Sequence, residues 1–538
     1  MLSGSAVRGM SKRLVWLLGS LASVGLVVPV QALQESTGDR GIVAQRLHQA
    51  PYNLIGRKIG LGQVEVGRPG KFGLDKTSSA ALRSVVVTGV FLQDSPAKAN
   101  SNLDTHASMV AMVMVSQDKA LTGVAPGARL YSSAIGSLRH GGQPEECLSA
   151  QHVALQNGGD VRAINFSFGE PLRRDPRPDP ILDGNALLTR CVDWSSRVHN
   201  TLYVVAGNQG SGGIPIPTDN FNGINVASST PREDGFTKLD FSNLSDAPEG
   251  IGRSLILREI NVGPRRSIGL VAPGSQITVY NLQGQAVPVM GTSFAAPHVV
   301  GTVALLQEFG DRQLAAKVPQ WTTDARRSEV MKAVLLNSAD KLKDPGDGRY
   351  LGMSRTLHTK ENETWLQGDA AQDPKIPLHI QIGTGHLNAY RAYQQFSPGQ
   401  WSASAPVPPI GWDYGTVAVN SVQDYVLEKP LKGGTYAAFT LAWHRLVELN
   451  DQSNTGLFTV GDSFHDRGLN DLNLYLLPLD AQTTEESICS SVSEVDSVEH
   501  IFCRIPETGR YKIRVKYHTQ ANEPTQAYAL AWWTATGE

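Results

Sequence analysis

The sequence has little cysteine, no excess of charge and few long apolar runs. Its 538 residues include four cysteines, none in a CxxC pair, and its histidines show no zinc-site spacing. The 48 Lys and Arg residues nearly balance the 50 Asp and Glu residues, and no basic tract stands out. These absences exclude a zinc-finger protein and argue against nucleic acid as a partner.

One stretch near the N-terminus is the exception to the lack of long apolar runs. Residues 1–32 begin with basic side chains, continue with an apolar run and end in the small-residue sequence Val30-Gln31-Ala32. This order predicts a signal peptide cleaved after Ala32. A transmembrane anchor is the alternative, but Gly and Ser residues interrupt the run, which is short for a span. We therefore expect an exported protein, periplasmic or extracellular, with no membrane contact after cleavage.

The four cysteines form two pairs that are far apart in the sequence. We predict the disulfides Cys147–Cys191 and Cys489–Cys503, one in each of two domains, as suits an exported protein. Four free buried thiols are the alternative, because spacing alone does not decide connectivity.

What is present predicts an α/β domain. The hydrophobic fraction of 41% is enough for a globular core, and the length allows more than one domain. After a short polar extension, 33–52, which we expect to be flexible, strand and helix patterns alternate. Residues 58–66 and 83–91 read as strands, and a small apolar helix is expected from about His106. This alternation predicts a parallel sheet with helices on both faces.

The most informative segment runs from Gly291 to Gly301. A Gly-Thr turn presents Ser293, small residues follow, and Pro297 precedes an apolar run. Since proline is tolerated in the first turn of a helix, we place Ser293 at the entry of a buried helix. Backbone N–H groups at such an entry point toward any oxyanion formed there.

This segment resembles the nucleophile motif of the subtilisin-like serine proteases, the subtilases. Other motifs of that family follow the same chain order over 53–395. The region of Asp104 to Val113, with the later 123–131, resembles the family's histidine region. The resemblance implies that Ser293 is the nucleophile and His106 the general base.

Two further segments extend the resemblance. The run 163–169 resembles the strand that pairs with an extended substrate peptide, which implies substrate binding by Ser167, Phe168 and Gly169. The run 203–208 resembles the strand that ends in the oxyanion asparagine, which implies that role for Asn208.

The acid of the triad departs from the family pattern. Where subtilases have Asp at the end of the first core strand, this sequence has Glu65. A Glu carboxylate can accept from the imidazole Nδ1–H as an Asp does. The alternatives are an incomplete triad, or Asp75 or Asp94 in place of Glu65. Asp104 is too near His106 in sequence to reach the far ring nitrogen comfortably.

The chain changes character near residue 396. A Pro- and Ser-rich stretch, 396–412, reads as a linker, and the short alternating segments of 413–538 predict an antiparallel β-sandwich. This domain resembles the jelly-roll-like domains appended to secreted proteases. Its Trp532-Trp533 pair suits core packing better than a ligand platform. No EF-hand spacing is present, so a structural Ca²⁺ has no assignable ligands, and we assign no metal or cofactor.

These observations predict an exported serine endopeptidase that acts on peptides or proteins. The alternative is a catalytically impaired relative that uses the same groove to bind peptides or partners. A peptide ligase would use the same nucleophile. Substrate preference and oligomeric state stay open, because the loops that form the pocket walls cannot be placed from sequence.

Overall fold

The computed structural model describes residues 33–76, 83–136, 142–207, 210–211, 216–242, 261–262 and 264–537. The predicted signal peptide, 1–32, lies outside the described residues. The helices are α1 (Leu33–Thr37), α2 (Ala44–His48), α3 (Thr105–Val115), α4 (Gln143–Ala154), the short turn α5 (Gln156–Gly159), α6 (Leu187–Val198), α7 (Thr292–Ala315), α8 (Ser328–Asn337) and α9 (Ala389–Phe396).

The strands fall into an N-terminal and a C-terminal group. The first group is β1 (Gly60–Glu65), β2 (Val87–Leu92), β3 (Ser95–Pro96), β4 (Arg129–Ala134), β5 (Val161–Phe166), β6 (Leu202–Ala206), β7 (Gly210–Ser211), β8 (Ile224–Arg232), β9 (Gly235–Leu239), β10 (Phe241–Ser242), β11 (Asn261–Val262), β12 (Arg265–Arg266), β13 (Ile268–Pro273), β14 (Ile277–Tyr280), β15 (Ala286–Val289) and β16 (Thr356–His358). The second group is β17 (Ile410–Ala418), β18 (Val422–Val426), β19 (Tyr436–Trp443), β20 (Val447–Asn450), β21 (Ser463–Asp466), β22 (Asp471–Pro478), β23 (Cys489–Ser491), β24 (Val498–Arg504), β25 (Tyr511–Thr519) and β26 (Thr525–Trp533).

A ten-stranded sheet forms the N-terminal half, in the order β16-β9-β8-β6-β5-β1-β4-β2-β3, with β13 also paired to β8. Its central strand β1 runs parallel to β4 and β5 and is buried along its whole length. Neighbouring residues of β5 face opposite sides: Ala163 joins the core of α3 and α7, and Ile164 joins that of α4 and α6. Two covered faces explain why β1 and β5 are buried along their whole length. The predicted α/β architecture is confirmed.

The N-terminal extension is ordered, so the expectation that it is flexible was wrong. Leu33 and Leu47 are fully buried, and the N–H of Ala389 donates to the carbonyl of Ile42. Ser36 Oγ lies 2.9 Å from Nε2 of His298, in the helix that carries Ser293. Ile42 and Ser36 meet partners hundreds of residues away in the chain, which a reading of this short polar segment could not show.

The C-terminal half is an antiparallel β-sandwich, as predicted. Its two four-stranded sheets have the orders β17-β26-β19-β24 and β18-β25-β22-β23. Trp532 is fully buried between them, and its indole N–H donates to the Pro408 carbonyl at 2.7 Å. Core packing, and not a ligand platform, is the role of this side chain.

Both predicted disulfides are present. Cys147 of α4 is bonded to Cys191 of α6, and Cys489 of β23 is bonded to Cys503 of β24. The first joins two helices on one face of the central sheet. The second joins the two sheets of the sandwich, because β23 and β24 belong to different sheets.

The stretch predicted as a linker packs tightly at both ends. Phe396, Val407 and Trp412 are fully buried, and the Trp412 indole donates to the Phe396 carbonyl at 2.9 Å. Only 402–406 is largely exposed. The Pro- and Ser-rich composition that predicted a linker therefore belongs to a connection that is packed at both ends. The domain boundary itself stays a prediction.

Among the described residues, no helix combines the length and apolar character that a membrane span requires.

Candidate active site

Glu65 is the last residue of β1 and has almost no contact with solvent. Its side chain is 2% exposed, because β4 and β5 flank the strand on either side. The chain after β1 pairs with the chain before α3: Arg68 N–H donates to the Asn102 carbonyl, and Asp104 N–H donates to the Arg68 carbonyl. A side chain at Gly67 would place its Cβ 2.4 Å from Asp104 Cβ. This close crossing carries the start of α3 to the end of β1.

His106 is the second residue of α3. Asp104 caps the helix by accepting the Ala107 N–H at 2.7 Å, which is the usual role of Asp before a first turn. The cap directs the imidazole back over β1, where Nδ1 lies 3.3 Å from Glu65 Oε2. His106 is 30% exposed, so the other edge of the ring faces the solvent side.

Burial and mutual attraction set the pKa values of this pair. Burial raises the pKa of Glu65 above its ordinary value, although the nearby His106 acts to lower it. For His106, burial favours the neutral ring, but the Glu65 carboxylate and the charge of Asp104 together outweigh burial, and the pKa of His106 is raised. Glu65 thus stabilises an imidazolium at His106.

Ser293 lies at the entry of α7. Gly291 precedes the helix with φ 141°, in the left-handed half of backbone space that favours glycine, and its N–H donates to the Gly274 carbonyl at 2.8 Å. The helix begins at Thr292, so Pro297 is its sixth residue. The expectation from the sequence that Pro297 lies in the first turn was therefore wrong. A proline as the sixth residue removes the N–H that the Ser293 carbonyl would otherwise accept.

Ser167 takes the place of that missing donor. Its Oγ donates to the Ser293 carbonyl at 2.9 Å, and the Ser293 Oγ donates to the Ser167 carbonyl at 3.3 Å. Sequence reasoning assigned Ser167 only to the substrate. A proline one turn after a proposed nucleophile was the available signal that another donor must serve the Ser293 carbonyl.

The structure brings the proposed base and nucleophile into one neighbourhood without joining them directly. The His106 ring lies 5.5 Å, centroid to centroid, from the ring of Phe294, which follows Ser293. Among the described contacts, the Ser293 hydroxyl donates to Ser167 and not to the imidazole. The Glu65–His106 pair is therefore formed, and the Ser293 hydroxyl points to another acceptor.

The remaining predicted site residues have different outcomes. Asn208 lies outside the described residues. Ser167, Phe168 and Gly169 directly follow β5, and Phe168 is buried with its ring 5.1 Å from that of Phe166. The Phe168 side chain thus belongs to the core, which leaves the backbone of this segment for any peptide partner.

The alternative acids are engaged elsewhere. Both carboxylate oxygens of Asp75 bind the Arg68 guanidinium, at 2.7 and 2.8 Å, and this contact helps to lower the pKa of Asp75 although burial opposes it. Asp94 accepts the hydroxyl of Ser95 at 3.1 Å. In the described part of the chain, no three His, Cys, Asp or Glu side chains are grouped to hold a metal ion.

Comparison with known proteins identifies the family of this chain. The model of the subtilase family matches residues 73–354, more than half of the chain. This chain belongs to the subtilase family. Subtilisin NAT of Bacillus subtilis subsp. natto is 26% identical over 239 residues, 44% of this chain and 52% of that protein. Thermitase of Thermoactinomyces vulgaris is 22% identical over 262 residues, 49% of this chain and 75% of that protein.

This subtilase therefore spans about half the length of the subtilisin it matches. A solved structure of the patellamide maturation protease PatA is 20% identical, with a TM-score of 0.40, over 64% of this subtilase and 98% of that chain.

Proposed function

We propose that this subtilase is an exported serine endopeptidase in which Glu65 takes the usual place of Asp. Ser293 is the nucleophile, His106 the general base and Glu65 the group that orients His106. The observation that carries the proposal is the 3.3 Å approach of the buried Glu65 carboxylate to His106 Nδ1. A carboxylate at this nitrogen selects the tautomer whose Nε2 is free to accept a proton.

The proposed reaction is acyl transfer to Ser293 followed by hydrolysis. Ser293 Oγ attacks the peptide carbonyl while His106 Nε2 takes its proton and then gives it to the leaving amine. Water then releases the acyl group by the same proton path in reverse. Asn208 and the Ser293 backbone N–H hold the oxyanion, and loss of one such donor costs about 2.7–4 kcal/mol of transition-state stabilisation. The chemistry needs no cofactor.

Peptide or protein substrates follow from the segment beside the nucleophile. An extended peptide pairs with the backbone of 167–169, where main-chain hydrogen bonds supply affinity. Before attack, the Ser293 hydroxyl must leave the Ser167 carbonyl and turn toward His106.

The same hydrogen bond motivates a second candidate, a catalytically impaired subtilase that binds peptides or partner proteins. In that case the hydroxyl stays on Ser167 and the groove serves only for recognition.

We also propose that the protein is exported. The basic and apolar start of the sequence has the form of a signal peptide, and two disulfides suit an oxidising compartment. We place the mature protein in the periplasm or outside the cell.

Labelling with a fluorophosphonate probe separates the two candidates. The full mature protein is incubated with the probe and read by intact mass, next to the Ser293→Ala and His106→Ala variants. We expect one adduct on the parent, none on Ser293→Ala and a large loss of labelling rate on His106→Ala. An unlabelled parent that still binds extended peptides would favour the recognition role.

A further inference from the structure

A cavity of about 520 Å³ lies apart from the proposed catalytic residues. Its walls come from α1 and the chain after it, the turn between β8 and β9, the chain from Pro273 to Ile277, and the segment that holds Ser354 and Arg355. Glu65, His106 and Ser293 are not part of its lining. The volume falls within the range of pockets that hold small-molecule ligands.

Arg355 supplies the one deeply buried charge of this cavity. Its side chain is 7% exposed. Nε donates to Ser354 Oγ at 3.1 Å, and Nη2 donates to the Asp39 carbonyl at 3.4 Å. In the described part of the chain, its third nitrogen, Nη1, is buried without a hydrogen-bond partner. An unpaired buried donor is costly, and a charged one more so.

The carboxylate behind Arg355 is shared with a second guanidinium group. Asp340 lies 3.4 Å from Arg355 Nε and 3.2 Å from Arg391 Nε, so one buried carboxylate faces two guanidinium groups. Asp39 is the other carboxylate whose charge acts on Arg355. Neither contact supplies an acceptor for Nη1.

The lining of the cavity carries no net charge once the buried Arg355 is counted. Four acidic and four basic residues line the cavity: Glu35, Asp39, Glu233 and Asp234, and Arg40, Arg232, Lys343 and Arg355. Asp234 is already paired with Arg232 at 2.8 Å. Lys343, by contrast, is exposed, and its ammonium forms no ion pair with any of the described residues. The preference of the cavity is therefore decided at its buried end, by Arg355.

We propose that this cavity binds a small ligand through a carboxylate or phosphate group held by Arg355. A modest rotation of the guanidinium brings Nη1 onto the oxyanion, and Lys343 adds attraction at the rim. Guanidinium groups suit both oxyanions because their planar donors match two acceptor oxygens. The binding site is separate from the proposed catalytic residues and does not rest on the proposed function.

Calorimetric titration of the full mature protein tests this site. The probes are inorganic phosphate and N-acetylglycine, with the uncharged N-acetylglycinamide as the reference compound. We expect one saturable site for at least one oxyanion and none for the amide. Phosphate alone would identify a phosphate-bearing ligand, and N-acetylglycine alone a carboxylate-bearing one.

Two variants connect the binding to the cavity. Arg355→Lys keeps the charge but loses the planar donor pair, and we expect binding at least about tenfold weaker. Lys343→Glu reverses an exposed charge at the rim, and we expect binding about three- to tenfold weaker. Lys375→Glu makes the same charge change at an exposed lysine outside the cavity and should bind like the parent.

Three results would overturn the proposal. These are no saturation by either oxyanion, equal binding of the amide, or parent-like binding by both cavity variants. If thermal melting shows that Arg355→Lys does not fold, the comparison of Lys343→Glu with Lys375→Glu decides alone.

Discussion

Ser167 and Ser293 exchange two hydrogen bonds, each hydroxyl donating to the other residue's carbonyl, at 2.9 and 3.3 Å. The Ser167 hydroxyl serves a carbonyl to which Pro297, four residues on, has no N–H to donate. It ties the proposed nucleophile to the segment that we propose pairs with substrate. A peptide that binds along this segment therefore acts on the same residues that hold the Ser293 hydroxyl away from His106.

Ser167→Ala should lower the stability of the protein. It removes the side-chain hydroxyl that donates to the Ser293 carbonyl, at a cost of about 1 kcal/mol in the free energy of unfolding. The double variant Ser167→Ala, Pro297→Ala returns an N–H to the helix and should recover much of that loss. Denaturant unfolding of the two single variants and the double variant measures the coupling. Additive free energies would show that Pro297 and Ser167 are not linked in this way.

Glu65→Gln should abolish most activity while leaving the fold intact. The amide keeps the shape but removes the charge that stabilises the imidazolium, and turnover should fall by about 10⁴-fold. Glu65→Asp is the matched variant: activity drops if the backbone has adapted to the longer side chain, and rises if it keeps the usual subtilase spacing. Turnover of a peptide substrate and the melting temperature are compared for all three proteins. A Gln variant as active as the parent would remove Glu65 from the mechanism.

The pH dependence of kcat/KM should reflect the interaction between Glu65 and His106. Only neutral His106 can accept a proton, and its pKa is raised above the ordinary 6.5. The acid limb of kcat/KM should therefore fall above pH 6.5. In Glu65→Gln, burial is no longer opposed by the carboxylate, so the limb of the residual activity should move to lower pH. An acid limb that does not move would assign it to another group.

Lys341→Met should stabilise the protein near neutral pH. The Lys341 amine is buried 5.1 Å from the Phe502 ring centre and 5.8 Å from that of Trp365, and its pKa is lowered from 10.5 to about 7, chiefly by burial. The folded state therefore holds this proton less tightly than the unfolded state does. The penalty is full below pH 7 and fades as pH rises toward 10.5. We expect a gain of about 1–2 kcal/mol at pH 7 that shrinks by pH 10, measured by urea unfolding.

A cut in the connection between the two halves should not separate them. Protease should cleave first within the exposed 402–406, but buried contacts cross the boundary on both sides. Arg445 of the C-terminal half donates to the Gly184 carbonyl at 2.8 Å and lies 3.3 Å from Asp193 of α6. Gel filtration of the nicked protein should show both fragments in one peak, separating only in denaturant. Release of a free C-terminal fragment in native buffer would mean that the interface is weak.

The sequence by itself determined the parts that depend on neighbouring residues. The alternation of apolar strands and small-residue helices predicted the covered parallel sheet, and the Gly-Thr-Ser turn placed Ser293 at a helix entry. The short alternating segments of 413–538 became strands, among them β19 (Tyr436–Trp443) and β25 (Tyr511–Thr519). These features follow from the backbone preferences of the residues and from the regular spacing of buried positions. A short window of sequence contains both.

Tertiary structure alone decided which distant groups meet. The family pattern favoured Glu65 but left Asp75 open as the partner of His106. The crossing of 65–68 with 102–104 brings Glu65 to His106, and Arg68 occupies Asp75. The same holds for the packing of the N-terminal extension on His298, the donation by Ser167 to Ser293, and the two guanidinium groups that share Asp340. Each is a contact between residues far apart in the chain. Its energy depends on burial and on competing partners, which exist only once the chain has folded.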